Sequence, residues 1–471
     1  MITATRQGGG GLSVDSGAVA VTEAQRYADL LRMAELDITG RWGEGRMNPS
    51  RERIAALVEL LGDPQRTYRS IHLTGTNGKT SSARMVDELL RGFGLRTGRF
   101  TSPHLSQITE RIVVDGEPVS ARTFVDAYRE LVPFLELVDG QFDVKLSFFE
   151  VMVALAYSIF ADAPIDVAVV EVGLGGVWDA TNVIDAEIAV VTPIDLDHTQ
   201  LLGNSVAEIA AEKAGIIKPG ATAVLARQAD DAAAALLRRA AEVDATVARE
   251  GSEFGVLERR VAVGGQVVTL QGLGGTYNEV FLPLHGAFQA QNAALSLAAV
   301  EAFFGAGRAS GPLDVDTVRG VFAEVRSPGR LEVVRVAPTV IVDSAHNPHG
   351  MRATVASLGE EFDFRRLVGV VGVLSDKDAT SMLQVLEPVL DEIVITQNSS
   401  LRAVPADELA ALAVSVFGTD RVTVEPRLDD AIETAVRLSE ESADGVLSGA
   451  GVLITGSVIT AGEARTLLGA K

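Results

Sequence analysis

Cysteine is missing from all 471 residues. That excludes disulfides and thiolate-bound metals, and it fits a reducing, cytoplasmic setting. No apolar run reaches the roughly eighteen residues a membrane span needs, so no membrane partner is expected. Cations are scarce beside anions: 41 Lys and Arg against 63 Asp and Glu, a formal charge of −22. A nucleic-acid binder carries a basic face, and this balance argues against one. A nucleotide ligand stays open, because a few cations, backbone amides and Mg2+ make a local positive pocket on an acidic protein. The first twenty residues are Gly-rich, hold a single basic residue, Arg6, and lack the apolar core of a signal peptide. Residues 1–22 therefore read as a flexible tail.

What remains is long enough for two domains. Short apolar runs alternate with helical stretches, the pattern of a mostly parallel α/β sheet. Strands are expected at Arg69–Leu73, Asp166–Val172, Glu187–Thr192 and Ala221–Ala226, with a helix over Ser81–Phe93. A hairpin is expected from Arg111–Val114 and Pro118–Ser120 around Asp115-Gly116. Residues 254–284 alternate around paired glycines and predict a small antiparallel subdomain. Asp230–Val243 reads as a solvated helix. A second, smaller Rossmann-like series follows, with strands at Leu331–Val336, Val340–Val342, Leu367–Val373, Glu392–Thr396 and Val452–Thr455. Pro-Gly within Val325–Arg330 marks the boundary, giving an ATP-binding domain over 23–327 and a second domain over 328–471.

Thr74–Ser81 reads TGTNGKTS. The general phosphate-loop pattern wants Gly at position 73, which is Leu73, yet the physical logic holds. Gly75 and Gly78 let backbone amides turn inward toward phosphate oxygens. Lys79 supplies a cation for the β- and γ-phosphates, and Thr80 offers a hydroxyl to Mg2+. The following helix aims its positive end at the same place.

Metal ligands are expected from oxygen-bearing or imidazole side chains at neighbouring strand ends. Glu171 precedes Gly173–Gly176, Asp195, Asp197 and His198 follow the next strand, and Ser102 and His104 sit in TSPHL. Any one of them is equally well a cap or turn residue. Lys213 lies on a helical pattern, where lysine is ordinarily a solvated charge, and its spacing alone says no more. Asp343, His346 and Asn347 follow a buried strand. Taken alone they read as an Asp cap with a turn histidine, but three of the six histidines (His104, His198, His346) come directly after strands, which favours a functional role.

These residues, in order, resemble the Mur ligases, and more closely the folylpolyglutamate synthase and dihydrofolate synthase branch. The matching segments are GTNGKTS (75–81), TSPHL (101–105) with Glu110-Arg111-Ile112, Phe149-Glu150, EVGLGGVWDATN (171–182), DLDH (195–198) and IAAEKAGIIK (209–218). The second half adds PGRLE (328–332), DSAHNP (343–348), DKD (376–378) and Thr455-Gly456-Ser457. The resemblance implies that Gly75, Thr76, Asn77, Gly78, Lys79, Thr80 and Ser81 hold ATP phosphates. Ser102, Glu171 and Thr80 would bind one Mg2+, and His198 a second. Lys213 matches a lysine carried as a carbamate, which needs a lowered pKa. Gln289 and Asn292 would sit near the adenine. Arg330, Asp343 and His346 would reach the nucleotide from the second domain. Lys79, Lys213, His198, Glu171 and His346 form the expected catalytic set.

The resemblance further implies a cytoplasmic monomer, admits a monovalent cation, and gives L-glutamate, ATP and a dihydropteroate or reduced folate as substrates. Residues 40–53, with Trp42 and Arg46, are candidates for shaping a pterin pocket, or a plain surface loop. Three positions depart from the family: Val177-Trp178 where a basic residue is usual after GLGG, Phe288 in place of His before Gln289, and Ser344 in place of Gly. Two other readings compete. A cell-wall Mur ligase needs a further N-terminal domain, and the about seventy residues before the loop are too few. A P-loop ATPase without ligase chemistry would turn over ATP with no carboxylate or amine present.

Overall fold

The structure, a computed structural model, describes residues 22–41, 50–306, 311–440 and 449–470. The expected tail up to residue 21, and Trp42 and Arg46, lie outside the described residues. Eight strands make the first sheet: β1 (Arg69–Thr74), β2 (Thr97–Phe100), β3 (Ile112–Val114), β4 (Glu117–Pro118), β5 (Val167–Glu171), β6 (Ile188–Val191), β7 (Thr222–Leu225) and β8 (Thr246–Arg249). Their order is β4-β3-β2-β5-β1-β6-β7-β8. Only the β2–β3–β4 edge is antiparallel. Asp115 and Gly116, both at positive φ, close the expected hairpin as an Asp-Gly turn does. Ser120 is not strand: its side chain caps the helix Ala121–Asp139.

The continuous apolar runs follow from burial on both faces. In β5, Val167 and Val169 face the helices Lys79–Gly92 and Ala287–Phe304. Ala168 and Val170 face the opposite layer around Phe148–Asp162. The helix Ala287–Phe304 is apolar all round because it is wedged between this sheet and a small antiparallel one. That sheet comprises β9 (Gly255–Ala262), β10 (Gly265–Gln271) and β11 (Thr276–Leu282). The helix Asp230–Glu242 is only half solvated, since Ala232, Ala235 and Leu236 pack against β7.

The third sheet comprises β12 (Glu332–Val336), β13 (Thr339–Val342), β14 (Arg366–Val371), β15 (Glu392–Ile395), β16 (Val422–Val424) and β17 (Ala450–Thr455), in the order β12-β13-β17-β14-β15-β16. All its pairings are parallel except β12 with β13. Leu331, expected in the first strand, stands at φ 47° and turns the chain into it. Three strands escape the sequence reading. Of these, β8 and β16 are short and mostly solvated, and β2 contains Gly98 and Arg99.

Among the described residues, no helix is long and apolar enough to cross a membrane.

Candidate active site

Chain order reverses across β5, β1 and β6, and ligands of open α/β sheets gather outside the carboxyl ends at such a point. Register keeps those ends level: Leu73 pairs with Glu171 and Thr74 with Val191. The loop after β1 then folds tightly. Gly75 lies at φ 144°, where a Cβ would collide with Thr192 Oγ1. Gly78 lies at φ 92°, where a Cβ would meet Asn292 Oδ1 at 2.7 Å. Thr76 Oγ1 donates to the Asp195 carbonyl at 2.9 Å, tying the loop to the turn after β6. Ser81 and Ser327 share a hydroxyl contact at 2.9 Å.

Two lysines converge on one carbonyl. Lys79 Nζ donates to Gly75 O at 3.1 Å and Thr76 O at 3.3 Å, and Lys213 Nζ donates to Gly75 O at 2.8 Å. Lys213 is not a solvated charge: its helix, Val206–Lys213, ends against Gly176, where a Cβ would stand 2.8 Å from the Lys213 carbonyl, and the residue is 3% exposed. Burial, then the Lys79 charge, bring its ammonium down to about 7. Burial likewise lowers Lys79.

Glu171 is 1% exposed. Thr80 Oγ1 donates to its carboxylate at 3.0 Å and the Ser102 amide at 3.4 Å. Burial raises its pKa, against the pull of Lys79. A desolvated carboxylate beside two hydroxyl-bearing residues is the hard oxygen set that suits Mg2+. Among the described residues no three His, Asp or Glu form a metal cage unaided. Phosphate oxygens and water would have to complete the shell, as Mg2+ commonly requires.

Across from the loop, the second half reaches in. Lys377 Nζ donates to Asp197 Oδ1 at 2.8 Å and lies 3.2 Å from His198 Nε2. Asn347 Nδ2 donates to Asp197 Oδ2 at 3.0 Å. Asn347 also exchanges amide hydrogen bonds with Asn77, both at 3.1 Å. His346 Nε2 is 3.8 Å from Asp197 Oδ2. Burial opposes the Asp197 charge, yet Lys377, His198 and His346 together hold its carboxyl well below the usual range. Burial, then Lys377, lower both His198 and His346 to about 4. Both imidazoles are neutral near pH 7 and offer a nitrogen lone pair.

Other expected residues are placed differently. Asp343 accepts from Leu331 N, Ala345 N and Thr354 Oγ1 at 2.8–2.9 Å, which braces its own turn. Asn292 Nδ2 donates to Gln289 Oε1 at 3.1 Å. Gln289 Nε2 is buried without a partner among the described residues, a donor left for a ligand beside Gly78. Arg330 lines a cleft with Thr80, His104 and Ser327. His104 accepts from Arg111 Nε at 2.9 Å.

The three departures have local causes. Val177 and Trp178 donate backbone hydrogen bonds to Glu212 at 3.0 and 3.2 Å, fixing the turn without a cation. Phe288 packs into the core of the third sheet. Ser344 Oγ donates to Gly329 O at 2.8 Å. Sequence reasoning assigned no role to Lys377, and took Asn347 as a residue that could hydrogen-bond a ligand without foreseeing its bond to Asp197; the one available signal was their place in loops after buried strands.

Comparison with known proteins follows this geometry. A family model described as the Mur ligase middle domain matches residues 147–300, and one described as the Mur ligase glutamate ligase domain matches 329–458. A dihydrofolate synthase/folylpolyglutamate synthase of Mycobacterium tuberculosis is 52% identical over 97% of this chain and 97% of its own. A folylpolyglutamate synthase of Lacticaseibacillus casei is 33% identical over 89% of this chain and 94% of its own. The solved structure of Mycobacterium tuberculosis folylpolyglutamate synthase complexed with ADP superposes with a TM-score of 0.90 at 52% identity, covering 94% of this chain and 99% of that one.

Proposed function

The chain belongs to the Mur ligase family, in its dihydrofolate synthase and folylpolyglutamate synthase branch, and we propose that it is an ATP-dependent ligase adding L-glutamate to folates and to dihydropteroate through an acyl phosphate. The observation that carries this reading is the meeting of Lys79, Thr80, Glu171 and Lys213 at one sheet edge, with Lys377 and Asn347 closing on it from the other. Domains over 23–327 and 328–471 supply the two sides.

Amide formation from a free carboxylate is uphill in water. The acceptor carboxylate attacks the γ-phosphorus in line as ADP leaves, giving an acyl phosphate; the neutral amine of glutamate then attacks the acyl carbon, and phosphate leaves with the amine's proton released to solvent. Lys79 screens the phosphate charge, and amides of Gly75–Ser81 fix the nucleotide. Gln289 and Asn292 take the adenine side. Arg330 and His346 approach from the second domain, whose closure excludes water.

Thr80, Ser102 and Glu171 would hold one Mg2+, and His198, with a carbamate on Lys213, a second. Mg2+ when bound neutralises charge on the transferring phosphoryl group. An ammonium near pKa 7 supports the carbamate, since the neutral amine is what reacts with CO2. A monovalent cation is assigned no residues. The enzyme is read as a cytoplasmic monomer with small-molecule substrates only.

The test offers ATP, Mg2+ and labelled glutamate with dihydropteroate, then with a reduced folate. Label is expected in product with both acceptors. Transfer to neither, or ATP turnover without any acceptor, rejects the ligase reading.

A further inference from the structure

Arg84 belongs to none of the segments that carry the family resemblance. It stands five residues after Lys79 on the same helix, roughly 7.5 Å farther along the axis. Its side chain lines the same cleft as Thr80, in the phosphate loop, and Arg330, from the second half of the chain. Among the described residues neither guanidinium has a hydrogen bond or an ion pair.

Two unpaired guanidiniums in one cleft are costly. Burial, then Arg99, bring Arg84 down to about 10, and Arg330 adds to the same shift. The nearby carboxylates, Glu88 and Glu110, offset this only in part. Glu110 also lines the cleft, but its oxygens accept from the amides of Leu105, Ser106 and Gln107 at 2.9–3.1 Å. Glu88, one turn further on, is itself pushed up to about 7 by burial and makes no ion pair with Arg84. The remaining walls mix polar and apolar groups: Thr80, Thr101, His104 and Ser327 beside Pro103, Leu105, Pro328 and Val458.

A planar fork set among hydroxyls and apolar side chains suits a carboxylate on a short aliphatic stem. On the ligase reading, on which this inference rests, both carboxylate substrates offer such a group near Thr80. We propose that Arg84, with Arg330 in the same cleft, binds a non-reacting carboxylate of a glutamyl unit. That carboxylate belongs either to the incoming glutamate or to the terminal glutamate of the folate acceptor.

The source is separable because dihydropteroate has only the carboxylate that reacts. Arg84→Gln should raise the KM of a glutamyl substrate at least about tenfold, the scale of one charge-assisted hydrogen-bond pair, while the KM for ATP stays within about twofold. Arg84→Lys, with a monodentate cation, should raise the same KM about threefold or more. A rise in the KM for glutamate with both acceptors assigns the site to the incoming amino acid. A loss with a glutamylated folate but not with dihydropteroate assigns it to the acceptor. Unchanged KM values, a fall in kcat alone, or a change confined to the KM for ATP overturns the proposal. Should Arg84→Gln not fold, Arg84→Lys decides by the same measurement, and an unchanged KM for both carboxylate substrates overturns it. Wild-type protein that transfers no glutamate rejects the ligase reading and this proposal together, whereas an active wild type with an unaltered variant rejects this proposal alone.

Discussion

The two sheet edges that meet at the cleft handle charge in opposite ways. On the first edge, Glu171, Lys79 and Lys213 are buried with their charged forms disfavoured. On the second, Lys377 and Asn347 hold Asp197 ionised across the gap. The first edge is incomplete without a highly charged ligand, whereas the second is satisfied by the protein itself. Such a division suits a closing enzyme. One side is pre-organised to receive phosphates and the other acts as a latch. Asn77, in the phosphate loop yet paired with Asn347, joins the two.

Mutation can break the comparison from either side. Lys79→Ala should give the largest effect, a loss of at least about a thousandfold in kcat/KM with the fold retained, because it removes a pre-organised cation from the phosphate side. Steady-state assay and circular dichroism check this, and residual activity above a tenth of wild type would overturn it. Lys377→Met attacks the latch. It leaves Asp197 without its chief partner and should cost about 2–4 kcal/mol in urea unfolding at pH 7. The sign with pH is definite: a depressed carboxyl stabilises above its ordinary pKa, near 4, and that advantage fades as pH falls below it. The wild-type and variant stabilities should therefore converge in acid.

Lys213→Met should do the reverse, raising stability while destroying activity. The Lys213 ammonium is depressed from its ordinary value to about 7, so its burial penalty is full below pH 7 and disappears as pH climbs toward the unfolded value. The variant should be more stable by about 1–3 kcal/mol at pH 6 in CO2-free buffer, with the gap narrowing above pH 8. Equal melting temperatures at pH 6 would count against a charged, unpaired Lys213. In the Lys213→Ala variant, partial rescue by a short carboxylate is expected if a carbamate acts there. Smallest of all, Ser344→Gly removes one hydrogen bond to Gly329 and should cost about 1 kcal/mol, with kcat/KM within about twofold.

Much of the phosphate edge was legible. Gly75 and Gly78 announce a loop with positive φ, Glu171 ends an unbroken apolar run, and Pro348 starts a helix that Asn347 caps. The latch was not. The DKD segment gives no sign that Lys377 meets a carboxylate 180 residues earlier. The bracing by Asp343 was not legible either. Its carboxylate also accepts from the amides of Leu331 and Ala345, a contact that the motif does not announce. Short strands such as β16 went unread because half-exposed three-residue segments carry no period.

By itself the sequence determined the chemistry on offer: a phosphate loop, oxygen and imidazole donors at strand ends, and no thiols. Its patterns reach only a few residues, through turn geometry and the alternation of a strand. Tertiary structure decided which charges lose water and which find partners. Lys213 reaches the Gly75 carbonyl across 138 residues and becomes half-neutral near pH 7. Arg84 shares a cleft with Arg330 and makes no ion pair among the described residues, for the same reason: desolvation and pairing are properties of packed surfaces, which no local pattern encodes.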